Sequence, residues 1–291
     1  MKPKAIVSVL DSSTGAEDAA LTKAVSLARW YDADLHVVHA GPSVREIARH
    51  VAPIAPDLVV VAKDVGRTSG HWSPGSFPAA LSKAVKSPTM VVPSHPAQAA
   101  EEGGPFGRIL AAVDFSDASL RALSVALTLA QESGGYLRVL HVLRGFPYET
   151  VYSGSRAYRL LDQFEAHVSR VNRELEALIP ADARNWSEIE VATISGRPHE
   201  GILAAAAERS TDLVVLGLSQ RPRLEEFVAG STARRVLRRA TSPVLLVPAG
   251  SRVRRFSPAD QFVAQFGRAP SAFSVPVVES GVAAKGAASW R

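Results

Sequence analysis

Asp57-Leu-Val-Val-Val-Ala62 and Asp212-Leu-Val-Val-Leu-Gly217 are one phrase written twice, 155 residues apart. Each sets an aspartate before an apolar run of strand length, the pattern of a strand buried on both faces of a sheet. At the same offset Gly75-Ser76 falls on Gly230-Ser231, and Gly41 falls on Gly196. Ser87-Pro-Thr-Met-Val-Val-Pro93 likewise falls on Ser242-Pro-Val-Leu-Leu-Val-Pro248. Nearer the N-terminus the offset drops to 102, where Leu35-His-Val-Val-His39 meets Leu137-Arg-Val-Leu-His141. The difference, 53 residues, is a block that the second copy alone carries, so the chain reads as an internal repeat with a shortened first unit.

The second copy resolves into alternating strands and helices. Ile109–Val113 is a continuous apolar run closed by Asp114, and Ser116-Asp117 can cap a helix whose apolar face is Leu120, Leu123, Leu127 and Ala130. A strand over Leu137–Leu143 follows. Leu161, Phe164, Val168, Val171, Leu175 and Leu178 then recur at steps of three and four, the mark of a long amphipathic helix. Ile189–Ile194 is a third strand, Pro198 opens a helix through Ile202, Leu203 and Ala206, and Leu213–Leu216 and Val244–Val247 are the last strands. Between those two lies a helix after Gly230, with Ala233, Val236, Leu237 and Ala240 inward. The first copy has a strand over Ala5–Leu10 and a helix with Leu21, Ala24, Val25 and Ala28 inward, opened by a Thr14/Glu17 capping box. It then passes from Leu35–His39 straight to Gly41.

Strands alternating with helices mean α/β architecture with parallel sheets. The expectation is two open, doubly wound, mainly parallel sheets, the first truncated to about four strands. Residues 1–95 form the shortened domain, 106–249 the complete one and 250–291 a mobile C-terminal tail, with Phe273–Val278 able to act as a docking strand. Ser94–Gly107, rich in Ala, Glu, Gly and Pro, reads as the linker. The strands ending each copy, Met90–Val92 and Val244–Val247, are apolar edges, and an exposed edge invites pairing.

Composition narrows the function classes. Apolar residues make up 46% and charged residues 21% of the 291, a globular balance. The absence of cysteine excludes disulfides, thiolate metal sites and a cysteine nucleophile. The apolar run Ala5–Leu10 is too short for a signal-peptide core, and no segment approaches membrane-span length, so a cytoplasmic protein without a membrane span is expected. The net charge of +5 gathers in Arg234/Arg235, Arg238/Arg239 and Arg252/Arg254/Arg255, with no interleaved aromatics to stack bases. A solvated basic face without specific nucleic-acid binding is expected.

In a doubly wound sheet ligands sit at the carboxyl ends of the strands, where strand order reverses. Asp114 ends the first strand of the second copy and Gly217 ends the fourth, so the two should face each other there. Gly217 lets a backbone or a ligand approach without meeting a Cβ. Gly230-Ser231-Thr232 stands before a helix, where free N–H groups, hydroxyls and the helix dipole suit an anion. An acid at one end and an anion cradle at the other suggest a nucleotide.

Gly217-x2-Gln220-x9-Gly230-Ser231-Thr232, with Val113-Asp114-x-Ser116 and His141-Val142, resembles the universal stress protein family, whose ATP-binding members carry Gly-x2-Gly-x9-Gly-Ser/Thr. The resemblance covers about residues 4–93 and 106–249. It implies the universal-stress-protein-like, adenine nucleotide alpha-hydrolase-like fold, and a regulator with at most weak ATP hydrolysis. ATP or AMP would be the ligand, with Mg2+ as an accompanying ion. Asp114 and the Val142 backbone would then meet adenine, Gly217 the ribose side, and Gly230, Ser231 and Thr232 the phosphates. It also implies that the two domains pair through their last strands as an intramolecular pseudo-dimer, with a homodimer as a further assembly.

Gln220 departs from the motif glycine; a side chain there crowds the phosphate approach, or blocks the turn if φ > 0 is required. The first copy departs further. Ala62-x2-Val65-x9-Gly75-Ser76-Phe77 keeps the spacing and Asp11 remains, but both leading glycines and one hydroxyl are lost, so a degenerate, nucleotide-free site is expected there. Thr68-Ser69-Gly70 could form a different nest. The competing reading of the whole chain is a nucleotide-free interaction scaffold with both sites decayed. A phosphoryl- or adenylyl-transferring enzyme lacks an evident base. His36 and His39 lie three apart on a strand and make a poor metal pair. His39 and His141 hold equivalent, structural places, and His71-Trp72 sits in a loop without a visible partner.

Overall fold

The computed structural model describes residues 2–10, 17–39, 43–65, 76–94, 104–144, 155–219 and 231–251. The strands are β1 (Ala5–Leu10), β2 (Asp34–His39), β3 (Leu58–Ala62), β4 (Thr89–Val92), β5 (Arg108–Ala112), β6 (Tyr136–Leu143), β7 (Glu188–Ser195), β8 (Leu213–Leu218) and β9 (Val244–Pro248). The helices are α1 (Glu17–Tyr31), α2 (Val44–Val51), α3 (Ser76–Val85), α4 (Asp117–Ser133), α5 (Ser155–Glu176), α6 (Pro198–Glu208) and α7 (Ser231–Arg239).

The strands form a single nine-stranded sheet in the order β2-β1-β3-β4-β9-β8-β5-β6-β7. Every neighbouring pair is parallel except β4 with β9, which runs antiparallel with Met90 opposite Leu245. The two sheets expected from the repeat are thus joined edge to edge, because the last strand of each copy is apolar and its open ladder groups need partners. Met90, Val91, Val244 and Leu245 are all buried at this junction. Four strands precede it and five follow, which accounts for the shortened first copy.

Helices cover both faces, so the strand interiors are apolar throughout: Val59, Val60 and Val61 are fully buried, as are Leu213 and Val215. Helix α4 buries Leu120, Leu123, Leu127 and Ala130 as its spacing predicts. The apolar stripe of α1 is rotated from expectation: Ala20, Ala24, Leu27 and Ala28 are buried, while Leu21 and Val25 lie at its half-buried flank. Both sets satisfy helical spacing, and packing on the sheet selects the first. Helix α2 fills the place that α6 holds in the second copy. It is capped by Ser43, whose Oγ accepts the Glu46 N–H, and it buries Val44, Ile47 and Val51. Pro198 stands at the start of α6, where its missing N–H costs no hydrogen bond.

Contacts across the junction reach beyond the sheet. Lys23 of α1 donates to the Pro105 carbonyl at 3.1 Å and lies 4.7 Å from the Phe106 ring centre. Burial lowers its pKa, and Asp212 opposes that shift. Tyr31 of α1 meets Glu132 of α4, and burial together with that carboxylate pushes its phenol upward. Lys63, just past β3, donates to the Ala240 carbonyl beyond α7 at 3.2 Å. One continuous apolar core therefore runs from β1 through to β7, with Leu35 and Val38 of β2 packed against it.

Candidate functional site

Strand β5 pairs with β6 on one side and β8 on the other, so strand order reverses at β5. In doubly wound sheets the ligand crevice lies at such a reversal, and the turn from Val113 to Ser116 stands there, at the end of β5. This turn is fixed by a closed set of hydrogen bonds. Asp114 Oδ1 accepts from the Ser116 N–H at 3.1 Å and from Ser116 Oγ at 2.5 Å. Ser116 Oγ also accepts the Ser119 N–H at 3.3 Å, which caps α4. Ser119 Oγ donates to the Ser116 carbonyl at 2.9 Å and accepts the Asp114 N–H at 3.2 Å. The exposed Asp114 carboxylate is therefore held by one oxygen, and among the described residues Oδ2 makes no hydrogen bond.

Phe115, between the two bonding residues, adopts φ 59° with its ring buried. A bulky residue in the left-handed region persists only where its surroundings hold it. Its ring packs 5.1 Å from that of His141, whose Nδ1 lies 2.7 Å from the Val113 carbonyl. A carbonyl only accepts, so Nδ1 carries the proton. Burial lowers the His141 pKa, and His167 adds to that, while the Val113 carbonyl and Asp114 oppose it. His141 thus acts as a strut beneath the turn.

Val142 contributes its main chain. The Tyr136 N–H bonds to Gly107 and the Leu140 carbonyl accepts the Val113 N–H, so even-numbered residues of β6 direct their main-chain groups toward β5. Strand β5 ends at Ala112, and the next such groups, those of Val142, lie beyond its last residue.

Gly217, expected to end the fourth strand, lies one residue inside β8 and pairs with Val247; a Cβ there would lie 2.5 Å from both the Ala118 carbonyl oxygen and the Ser119 nitrogen. The space opened by this glycine holds the first turn of α4. Ser231 and Thr232 begin α7, and Thr232 is half-buried. Gln220 and Gly230 lie outside the described residues, as do Asp11, Gly41, Thr14, Thr68-Ser69-Gly70, His71-Trp72 and Gly75. The tail from 252, including Arg252/Arg254/Arg255 and Phe273–Val278, also lies outside them. In the first copy Ala62 is buried at the end of β3, opposite Val92 of β4, and Ser76 begins α3.

Sequence reasoning missed Phe115, Ala118 and Ser119. Only Ser119, three residues after a capping serine, carried a local signal. Among the described residues no three His, Cys, Asp or Glu side chains group as a metal site, so the Mg2+ expectation gains no ligand set from them. No helix among them is long and apolar enough to cross a membrane. Arg238 and Arg239 occupy the last turn of α7, where cations complement the helix dipole.

Together these features define an open, doubly wound α/β protein with an acid-bearing turn at its topological switch point. A model of the universal stress protein family matches residues 105–248. Universal stress protein YxiE of Bacillus subtilis is 31% identical over 146 residues, covering 49% of this chain and 99% of that protein. The universal stress protein in QAH/OAS sulfhydrylase 3'region of Thermus aquaticus is 34% identical over 143 residues, covering 49% and 98%. The crystal structure of a functionally unknown protein from Pseudomonas aeruginosa PAO1 aligns with 91% of this chain and 98% of its own, at TM-score 0.57 and 16% identity, a likeness of fold. The chain belongs to the universal stress protein family.

Proposed function

We propose that this chain is a stress-type regulatory protein that binds one adenine nucleotide, ATP or AMP, in the crevice between β5 and β8. The carrying observation is the convergence of Asp114 and Val142. The carboxylate is exposed with one oxygen pinned by Ser116, and the Val142 main-chain groups lie beyond the last residue of β5. A carboxylate beside a backbone donor and acceptor suits the hydrogen-bonding edge of adenine. The start of α7, with Ser231 and Thr232, suits the phosphates. Residues 1–95 and 106–249 act as two repeats joined as a pseudo-dimer through β4 and β9, and only the second holds ligand. In the first, Ala62 replaces the wall glycine and Phe77 replaces the second hydroxyl. Regulation follows from occupancy, with no catalytic residue assigned.

One observation favours the scaffold reading: the space at Gly217 is filled by α4, so packing alone accounts for that glycine. Denaturing the purified protein and assaying the supernatant by ultraviolet absorbance and mass separates the two. Release of close to one adenine nucleotide per chain, or its uptake on titration, supports binding. An empty protein that takes up neither ATP nor AMP leaves the scaffold.

A further inference from the structure

Strand β2 is an outer edge of the sheet, and its counterpart β6 is not. The Asp34 N–H bonds to Lys4, so the main-chain groups of Asp34, His36 and Val38 face β1, and those of Leu35, Val37 and His39 face outward. In the second copy the matching groups of Leu137, Val139 and His141 face β7 and pair with it. Side chains tell the same story: Val37 is 48% exposed, whereas its counterpart Val139 is fully buried. Leu35 is half-buried where Leu137 is fully buried. Among the described residues, the missing block leaves the outer ladder of β2 open. Of the three large apolar residues exposed among the described residues, two, Trp30 and Val37, lie on α1 and β2.

We propose that Phe273–Val278 of this chain adds to β2 as a tenth strand, parallel to it, replacing the strand that the first copy lacks. The path favours this. Because β9 runs antiparallel to β4, with Leu246 opposite Thr89, the chain leaves β9 at the amino-terminal ends of β1–β4. A segment arriving at β2 from that side runs parallel to it, as β7 runs to β6. Four strand spacings separate β9 from β2, about 19 Å, while the residues between Ser251 and Phe273 can extend to about 70 Å. That length also exceeds the dozen or so residues a parallel crossover requires.

The composition of the segment fits an edge. Phe273, Val275 and Val277 alternate, so their side chains share one face and their main-chain groups one lateral side. With those groups toward β2, Pro276 falls among the residues turned to solvent, where a strand tolerates proline, and Phe273, Val275 and Val277 share the sheet face of Val38 rather than that of Val37. The opposite edge, β7, has less need of a strand: Glu190 there is engaged by Tyr136, Arg138 and Arg209.

Hydrogen exchange resolved to single residues tests this on the full chain, alongside a Val275→Pro/Val277→Pro variant that removes the two N–H donors. The expected result is protection of the Leu35, Val37 and His39 amides in the parent at any protein concentration. In the variant these amides should exchange about tenfold faster or more, with Leu137 and Val139 unchanged to show that the fold is intact. Unprotected amides in the parent, or equal protection in the variant, would overturn the proposal. Protection that grows with protein concentration would overturn it in favour of a second copy at this edge, which light scattering would register as a doubled mass.

Discussion

A Cβ added to Gly217 would lie 2.5 Å from the Ala118 carbonyl oxygen, so the end of β8 and the first turn of α4 are in backbone contact. Neither partner has a flexible end that can yield, and α4 begins at the turn that positions Asp114. Gly217→Ala should therefore destabilise the protein by about 1–3 kcal/mol, an overpacking cost. It should also weaken nucleotide binding by displacing the turn. Urea denaturation checks the first effect and titration the second; an unchanged midpoint would show that α4 can move freely away from β8.

Acid should act through His141. Its pKa is lowered in the fold, chiefly by burial, so the unfolded chain takes up the proton first as pH falls below about 6.5. Stability is then fully present above that value and declines as pH drops toward the folded-state pKa. His167 and His199 shift the same way, mainly by burial and with arginines adding to it, so they contribute to the same slope. His141→Gln should lose some stability at neutral pH and show a shallower decline between pH 7 and 5. Melting temperature followed across that interval measures it, and a slope equal to the parent's would remove His141 from the acid response.

The architecture was legible because each apolar run has strand length and repeats at a fixed offset. Even the missing strand and helix could be counted from the change of offset. The union of two sheets into one was partly legible, since apolar edges announce that they need partners but not which sheet results. Helix α1 shows what periodicity leaves open: Ala20–Ala24–Leu27 and Leu21–Ala24–Ala28 both satisfy helical spacing, and the sheet surface decides. At the site, the acid and the glycine were readable only to within a residue or two of the strand ends: Asp114 lies two residues past β5 and Gly217 one residue inside β8. The left-handed Phe115 and the approach of Ala118 to Gly217 were not, because both depend on contacts between segments distant in sequence, Phe115 with His141 and Ala118 with Gly217.

Where β4 meets β9, Met90 stands opposite Leu245, and both are almost wholly buried. Met90→Asp places a carboxylate there without a partner and should cost about 3 kcal/mol or more. Because the pair shares one ladder, hydrogen exchange should rise in β9 as well as in β4. Faster exchange confined to β4 would show that the antiparallel pair does not persist in solution.

Nucleotide, in the function proposed above, occupies the second copy alone and is limited by Gln220. Asp114→Ala should abolish binding. Asp114→Asn, which keeps an acceptor for Ser116, separates loss of the charge from collapse of the turn. Gly230→Val should also abolish binding, whereas Asp11→Ala and Gly75→Val should leave it unchanged. Each lost charge-assisted hydrogen bond to phosphate costs roughly 1.5–3 kcal/mol, about one to two decades of affinity. Gln220→Gly should recover part of that range if its side chain narrows the phosphate approach. Isothermal titration of these variants with ATP and with AMP measures all of it. Two sites per chain, or loss of binding with Asp11→Ala, would refute the assignment to the second copy. Weaker binding by Gln220→Gly would make Gln220 itself a ligand.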